Sequence, residues 1–205
     1  MGTIILRGGD EIEDPLELAL EFLAAYTSSE AADSSRAAIF DEDDLRLANR
    51  GGARIARTEI ASILERRVEI ERALSAIELD ASLRGATASI PWLRLTRLFE
   101  AFADIRGVGF AKMTKAVHPK RPALIPMLDS VVQTYLTGDA APPVSGTFGE
   151  RAVALVRRYK RDLDRNRGAL HELQRELASR GYRVTEVRIL DLLIWSVSTG
   201  VRSTR

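Results

Sequence analysis

Cysteine is absent from the 205 residues. Disulfides, thiolate zinc sites and cysteine-ligated iron–sulfur clusters are therefore excluded on chemical grounds, and the fold must rest on packing. Histidine is scarce: His118 and His171 stand far apart, with no carboxylate–histidine spacing that implies a metal, so neither a metal nor another cofactor is expected. No charge-free apolar run approaches the length of a bilayer span, and residues 1–10 lack the basic-then-apolar order of a secretory leader. A cytoplasmic protein without a membrane role is the expectation. Alternating strand patterns are nearly missing, with only residues 3–6 and 182–184 as short candidates, and no repeat of fixed period is visible.

What is present is helical periodicity. Asp14-Pro15 caps and opens a helix carrying Leu16, Leu20 and Leu23 and reaching about Tyr26. The acidic run from Asp41 to Asp44 caps a second, ending at Asn49 before the Arg50-Gly51-Gly52 turn. Residues 58–79 hold Ile60, Ile63, Leu64, Val68, Ile70, Leu74 and Ile77 without Gly or Pro, which predicts the longest helix. Ser89-Ile90-Pro91-Trp92 restarts helix with Leu93, Leu95, Leu98, Phe99 and Phe102 as contacts, and Trp92 is read as core. Residues 138–149, rich in Gly and Pro, read as a surface loop. Helices then follow through Val153, Val156, Tyr159 and Leu163, through Leu170, Leu173 and Leu177, and from a Thr185 cap into the apolar run ending at Trp195. Within that run Asp191 needs a partner, for which Arg183 and Arg188 are candidates. At this length one domain is the default, and the expected class is all-α, a single helical bundle over residues 1–205.

The formal net charge of +1 conceals an uneven distribution. Between Ile105 and Leu128 there is no acidic residue, while Arg106, Lys112, Lys115, Lys120 and Arg121 are basic. Such a field favours an anionic partner, phosphate above all; a solvated face with no partner is the competing reading. The stretch reads as helix, tight turn, short helix, extended link and helix. Gly107, Val108 and Gly109 form the turn, where glycines permit positive φ and close backbone approach. Amides opening the next helix, with Lys112 and Lys115 behind them, make a candidate phosphate clamp. Lys120 and Arg121 are candidate contacts too, or else structural ion-pair partners. Asp129, before Ser130-Val131-Val132, is placed to cap a helix.

Residues 104–136 resemble the helix-hairpin-helix DNA glycosylase superfamily. Gly107-Val108-Gly109 is similar to its hairpin turn, and Asp129, twenty residues after Gly109, stands near the place of its essential aspartate. The resemblance implies a central helix-hairpin-helix-like element over 98–136 and DNA held through Gly107, Val108, Gly109, Lys112, Lys115, Lys120 and Arg121. It also implies a base extruded into a helical cleft and Asp129 assisting hydrolysis of the N-glycosidic bond. Where members that also cleave the strand carry a lysine nucleophile, this chain has Ala111, with Lys112 one residue on and turned by about 100°. A monofunctional hydrolase is thus the form implied. Over its whole length, with Gly52-Ala53-Arg54-Ile55, residues 120–126 and residues 190–195, the chain resembles a mainly actinobacterial domain family with no assigned activity. A non-catalytic nucleic-acid-binding module and a helical protein-interaction module are the alternatives.

Overall fold

The computed structural model describes residues 2–25, 36–138 and 144–200. Ten α-helices and one two-stranded hairpin make up the regular structure of those residues, so the all-α expectation holds. The expected helix end near Tyr26, the polar stretch 28–35 and residues 139–143 of the expected loop lie outside them. Strand β1 (Ile4–Ile5) pairs antiparallel with β2 (Glu11–Ile12), a partner too short for its alternation to register in the sequence. Residues 182–184 form no strand. The hairpin is pinned by Asn166, which accepts from the Ile5 amide and donates to the Ile5 carbonyl, both at 2.8 Å.

Local signals set most helix starts. In α1 (Pro15–Ala25), Asp14 accepts from the Glu17 amide. Helix α2 (Glu42–Arg50) opens with a reciprocal capping box between Asp41 and Asp44. The helix expected over 58–79 is instead two, α3 (Arg57–Glu65) and α4 (Arg67–Ser75). No Gly or Pro causes the break. Arg66 lies at φ −93°, ψ 6°, which redirects the chain so that Ile70 and Leu74 are buried while Val68 is 68% exposed. Helix α5 (Trp92–Glu100) buries Leu95, Leu98 and Phe99 but leaves Leu93 exposed. Its main partner is α8 (Phe148–Arg165), which begins inside the expected loop. Gly149 belongs to that contact, because a Cβ there would stand 2.3 Å from the Thr96 carbonyl oxygen. Helices α6 (Phe110–Val117), α7 (Ser130–Thr137), α9 (Arg167–Ser179) and α10 (Glu186–Thr199) complete the bundle. One continuous buried cluster runs from Ile4 to Ile194.

Between α6 and α7 the chain crosses the interior without regular helix after a 3₁₀ turn at His118–Lys120, yet Lys120, Arg121, Leu124, Ile125 and Leu128 are buried. A buried irregular backbone must find partners for its amides and carbonyls. Thr114 accepts from the Leu128 amide at 2.9 Å, Gln133 donates to the Leu128 carbonyl at 2.8 Å, and Thr185 donates to the Pro122 carbonyl at 2.9 Å. His118 Nδ1 lies 2.6 Å from the Ile125 carbonyl, so that nitrogen carries the proton. Asp191 accepts from the Met127 amide at 3.1 Å.

Arg121 ties this link to distant parts of the chain. Its Nε and Nη2 donate to the Ile77 carbonyl at 3.1 and 2.7 Å, Nη2 also to Leu74 at 2.8 Å, and Nη1 to Ala37 at 2.9 Å and Lys120 at 2.6 Å. All five donors are used. Two of the carbonyls lie at the end of α4, where the helix dipole favours a cation. Lys120 works alongside, 2.6 Å from Asp44 and 3.2 Å from the Arg36 carbonyl.

Asp191 is fully enclosed, and its Oδ1 makes no hydrogen bond among the described residues. Burial pushes its carboxyl up to about 7, against the opposing pull of His118, Arg188 and the Met127 amide. The sequence expectation of a nearby arginine is met by Arg188, while Arg183 is exposed.

Two outcomes follow. Arg121→Met strips the donor from four buried carbonyls, of which, among the described residues, only Leu74 keeps another in the Ile77 amide, and should cost about 3–5 kcal/mol in urea unfolding, since removing one side of a buried charged network leaves the other unpaired. A loss below about 1 kcal/mol would contradict the role given to it. For Asp191, a folded pKa raised above the unfolded one means its favourable contribution is complete in acid and is lost as pH rises toward about 7. Asp191→Asn keeps an acceptor for Met127 without the charge. It should gain on the wild type between about pH 4 and 7, by up to about 1 kcal/mol per pH unit; parallel stability curves would refute this.

Candidate functional site

The segment singled out in the sequence has the expected order of elements: α5, a turn, α6, the link and α7. Asp104 at φ 61° and Gly107 at φ 82° reverse the chain, and the Val108 amide donates to the Ile105 carbonyl at 3.0 Å. Gly107 needs its freedom from a Cβ. Gly109 does not, being extended at φ −96°, ψ −175° and open to solvent on the side a Cβ would occupy. It precedes α6 without any side-chain cap, so the first amides of that helix have no intrahelical partner.

The structure divides the expected contact residues. Gly107 and Gly109 are exposed, but Val108 is buried and anchors the turn. Lys112 Nζ lies 2.7 and 2.6 Å from the two oxygens of Glu59. That pairing, together with the Ala56 amide, holds the Glu59 carboxyl below its usual range despite the upward push of partial burial. Lys115 reaches the Gly51 carbonyl at 3.2 Å and the Gly52 carbonyl at 3.5 Å, tying α6 to the turn after α2. Of the two roles the sequence left open for Lys120 and Arg121, the structure fits the inward, structural one. Both residues face inward because the link needs their donors, and they present no charge to a partner.

Cations that sequence reasoning undervalued lie on the segments that Glu59 and Lys115 join to the turn and α6. Arg50, Arg54, Arg57 and Arg106 are exposed, and among the described residues none makes an ion pair or hydrogen bond through its side chain. Arg54 is the most constrained. Its φ of 55° is left-handed, a conformation that costs a non-glycine residue about 1–2 kcal/mol. Asn49 enforces it by bonding both sides of Ile55, accepting from its amide at 2.6 Å and donating to its carbonyl at 3.0 Å. With Ala53 and Ile55 buried on either side, Arg54 is held outward on a rigid loop. The Gly51-Gly52 pair was the visible signal of a turn; the strain at Arg54 depends on Asn49 and carries none.

Asp129 caps α7, with Oδ1 accepting from the Val132 amide at 3.0 Å. It is partly exposed, and Oδ2 makes no hydrogen bond among the described residues. Trp92 packs at the edge of the core, donating from Nε1 to the Thr87 carbonyl at 2.8 Å and carrying the Arg157 guanidinium 4.2 Å above its ring. It is not an open stacking surface. His171 meets Glu186 at 3.3 Å on the far side of the chain's order from this region. Among the described residues no helix is long and apolar enough to cross a membrane.

Neither the curated proteins nor the solved structures include a match to this chain. A family model does match over residues 20–198, a span that takes in the 50–57 loop, the Gly107 turn, the buried link and Asp129. The chain belongs to that family, described as a family of unknown function, DUF6308.

Proposed function

We propose that this protein binds nucleic acid, with duplex DNA as the form suggested by the resemblance of residues 104–136 to the glycosylase hairpin. One observation carries the reading: Arg50, Arg54, Arg57 and Arg106, exposed and without acidic partners among the described residues, stand on segments that Glu59, Lys112 and Lys115 join to a glycine turn and uncapped helix amides. A surface that merely solubilises the protein needs no strained backbone to present its charge. Here Arg54 is held outward by Asn49 at a conformational cost, and such strain concentrates at functional positions. Fixed cations of this kind contact phosphate oxygens and release counterions from the polymer, giving salt-sensitive and sequence-tolerant binding. Gly109, with open space where a Cβ would stand, lets a backbone approach, and Lys115 adds a further charge beside the Gly51-Gly52 turn.

Hydrolysis of an N-glycosidic bond is a second reading, favoured by the free Oδ2 of Asp129. In this reading one carboxylate oxygen keeps α7 capped while the other faces positive charge developing on the sugar as the base departs. Ala111, standing where strand-cleaving members have lysine, accords with hydrolysis without a covalent lyase step.

Charge reversal at Arg54 and Arg106 together should weaken binding to a short duplex by more than tenfold at about 0.1 M salt. It should also reduce the slope of log affinity against log salt by about two. Fluorescence anisotropy across a salt series measures both; an unchanged slope would remove these residues from the interface. Asp129→Asn should abolish release of bases from damaged duplexes while leaving affinity unchanged. Equal release by both proteins would end the catalytic assignment, whereas no release by either would leave a binding module.

A further inference from the structure

We propose that the notch between Gly107 and Lys112 is a phosphate site that Glu59 fills in the free protein and vacates when nucleic acid binds. The inference rests on the nucleic-acid reading and adds to it a specific ligand position with an internal competitor. Glu59 comes from α3, 53 residues before Lys112, yet both its oxygens meet the ammonium at 2.6–2.7 Å. Its Oε1 occupies the space that the missing side chain of Gly107 leaves open: a Cβ at that residue would stand 2.2 Å from Oε1 and 3.2 Å from the carboxyl carbon. The notch therefore holds a planar anionic oxygen pair against bare backbone and a lysine. A phosphodiester offers the same two-oxygen face with a full negative charge, and Lys is a suitable point-charge partner for it.

Exchange is feasible because the pair is not sealed. The Lys112 side chain is 22% and the Glu59 side chain 13% exposed, which leaves a path by which water and a competing anion reach the pair. Glu59 also accepts from the Ala56 amide at 2.8 Å at the start of α3, and water can replace it there. A phosphate arriving at the Gly107 turn meets Arg106 of the turn itself, and Glu59 ties that turn to α3, whose first residue is Arg57; among the described residues neither arginine has an acidic partner. Occupancy by Glu59 keeps Lys112 compensated until such an anion arrives.

The test is duplex binding by the full-length chain, measured by anisotropy over a salt series, for wild type, Glu59→Gln, Lys112→Met and the double variant. Glutamine retains an acceptor for the Ala56 amide, so the fold should persist; thermal melting verifies that. Glu59→Gln frees Lys112 for one further phosphate. It should bind about tenfold tighter at 0.1 M salt, with a slope steeper by about 0.9, as expected for one additional counterion released. That gain should vanish when Lys112→Met is added. Asp104→Asn removes an exposed negative charge from the same turn without touching the notch and should give a clearly smaller gain. Glu59→Asp, with a shorter arm, supplies an intermediate case should glutamine melt early. A wild type that binds while Glu59→Gln binds no tighter, or a gain that survives loss of Lys112, would overturn the notch and leave the broader reading intact. Absence of binding by every protein at every salt concentration would overturn both.

Discussion

A stretch of backbone without regular structure passes through the interior between α6 and α7, and the arrangement of the helices depends on how its polar groups are met. Arg121 is the main device. One guanidinium gathers carbonyls from residues 37, 74, 77 and 120, so a single side chain fixes the approach to α2, the end of α4 and the link itself. Thr114, Gln133, Thr185 and Asp191 meet the remaining groups from α6, α7 and α10. Hydrophobic burial provides the driving force for this bundle, but apolar contact is tolerant of small displacements. Directional bonds to a buried backbone are not, and they fix the register in which the helices meet.

That constraint also sorts the charges. Lys120 and Arg121 are consumed by the link, and Lys112 is compensated by Glu59. On the segments that Lys112 and Lys115 tie together, Arg50, Arg54, Arg57 and Arg106 remain exposed to solvent. The same link delivers Asp129 to the start of α7, where capping uses one oxygen only. The proposed interface is thus what is left after the interior has taken the donors it needs.

Features encoded within a few residues were legible in the sequence. Asp14, Asp41, Asp129 and Thr185 are caps as read, since each serves amides no more than three residues away. The helix, turn, short helix and link order around Gly107 was legible for the same reason. The break at Arg66 was not, because nothing local forces it and burial of Ile70 and Leu74 decides it. The sequence could not decide between surface contact and structural pairing for Lys120 and Arg121, because their partners lie up to 84 residues away, beyond any window in which charge can be counted. Glu59 escaped notice likewise, and Arg54 owes its exposure to Asn49, a residue that looked like an ordinary helix end.

The division between inward and outward arginines can be observed directly through the arginine Nε–H resonances of isotopically labelled protein, titrated with a short DNA duplex at low salt. The signals of Arg50, Arg54, Arg57 and Arg106 should move together and saturate with one affinity, while that of Arg121, donating to the Ile77 carbonyl, should stay in place. Movement of the Arg121 signal with the outer four silent, or no movement of any of them, would contradict the account.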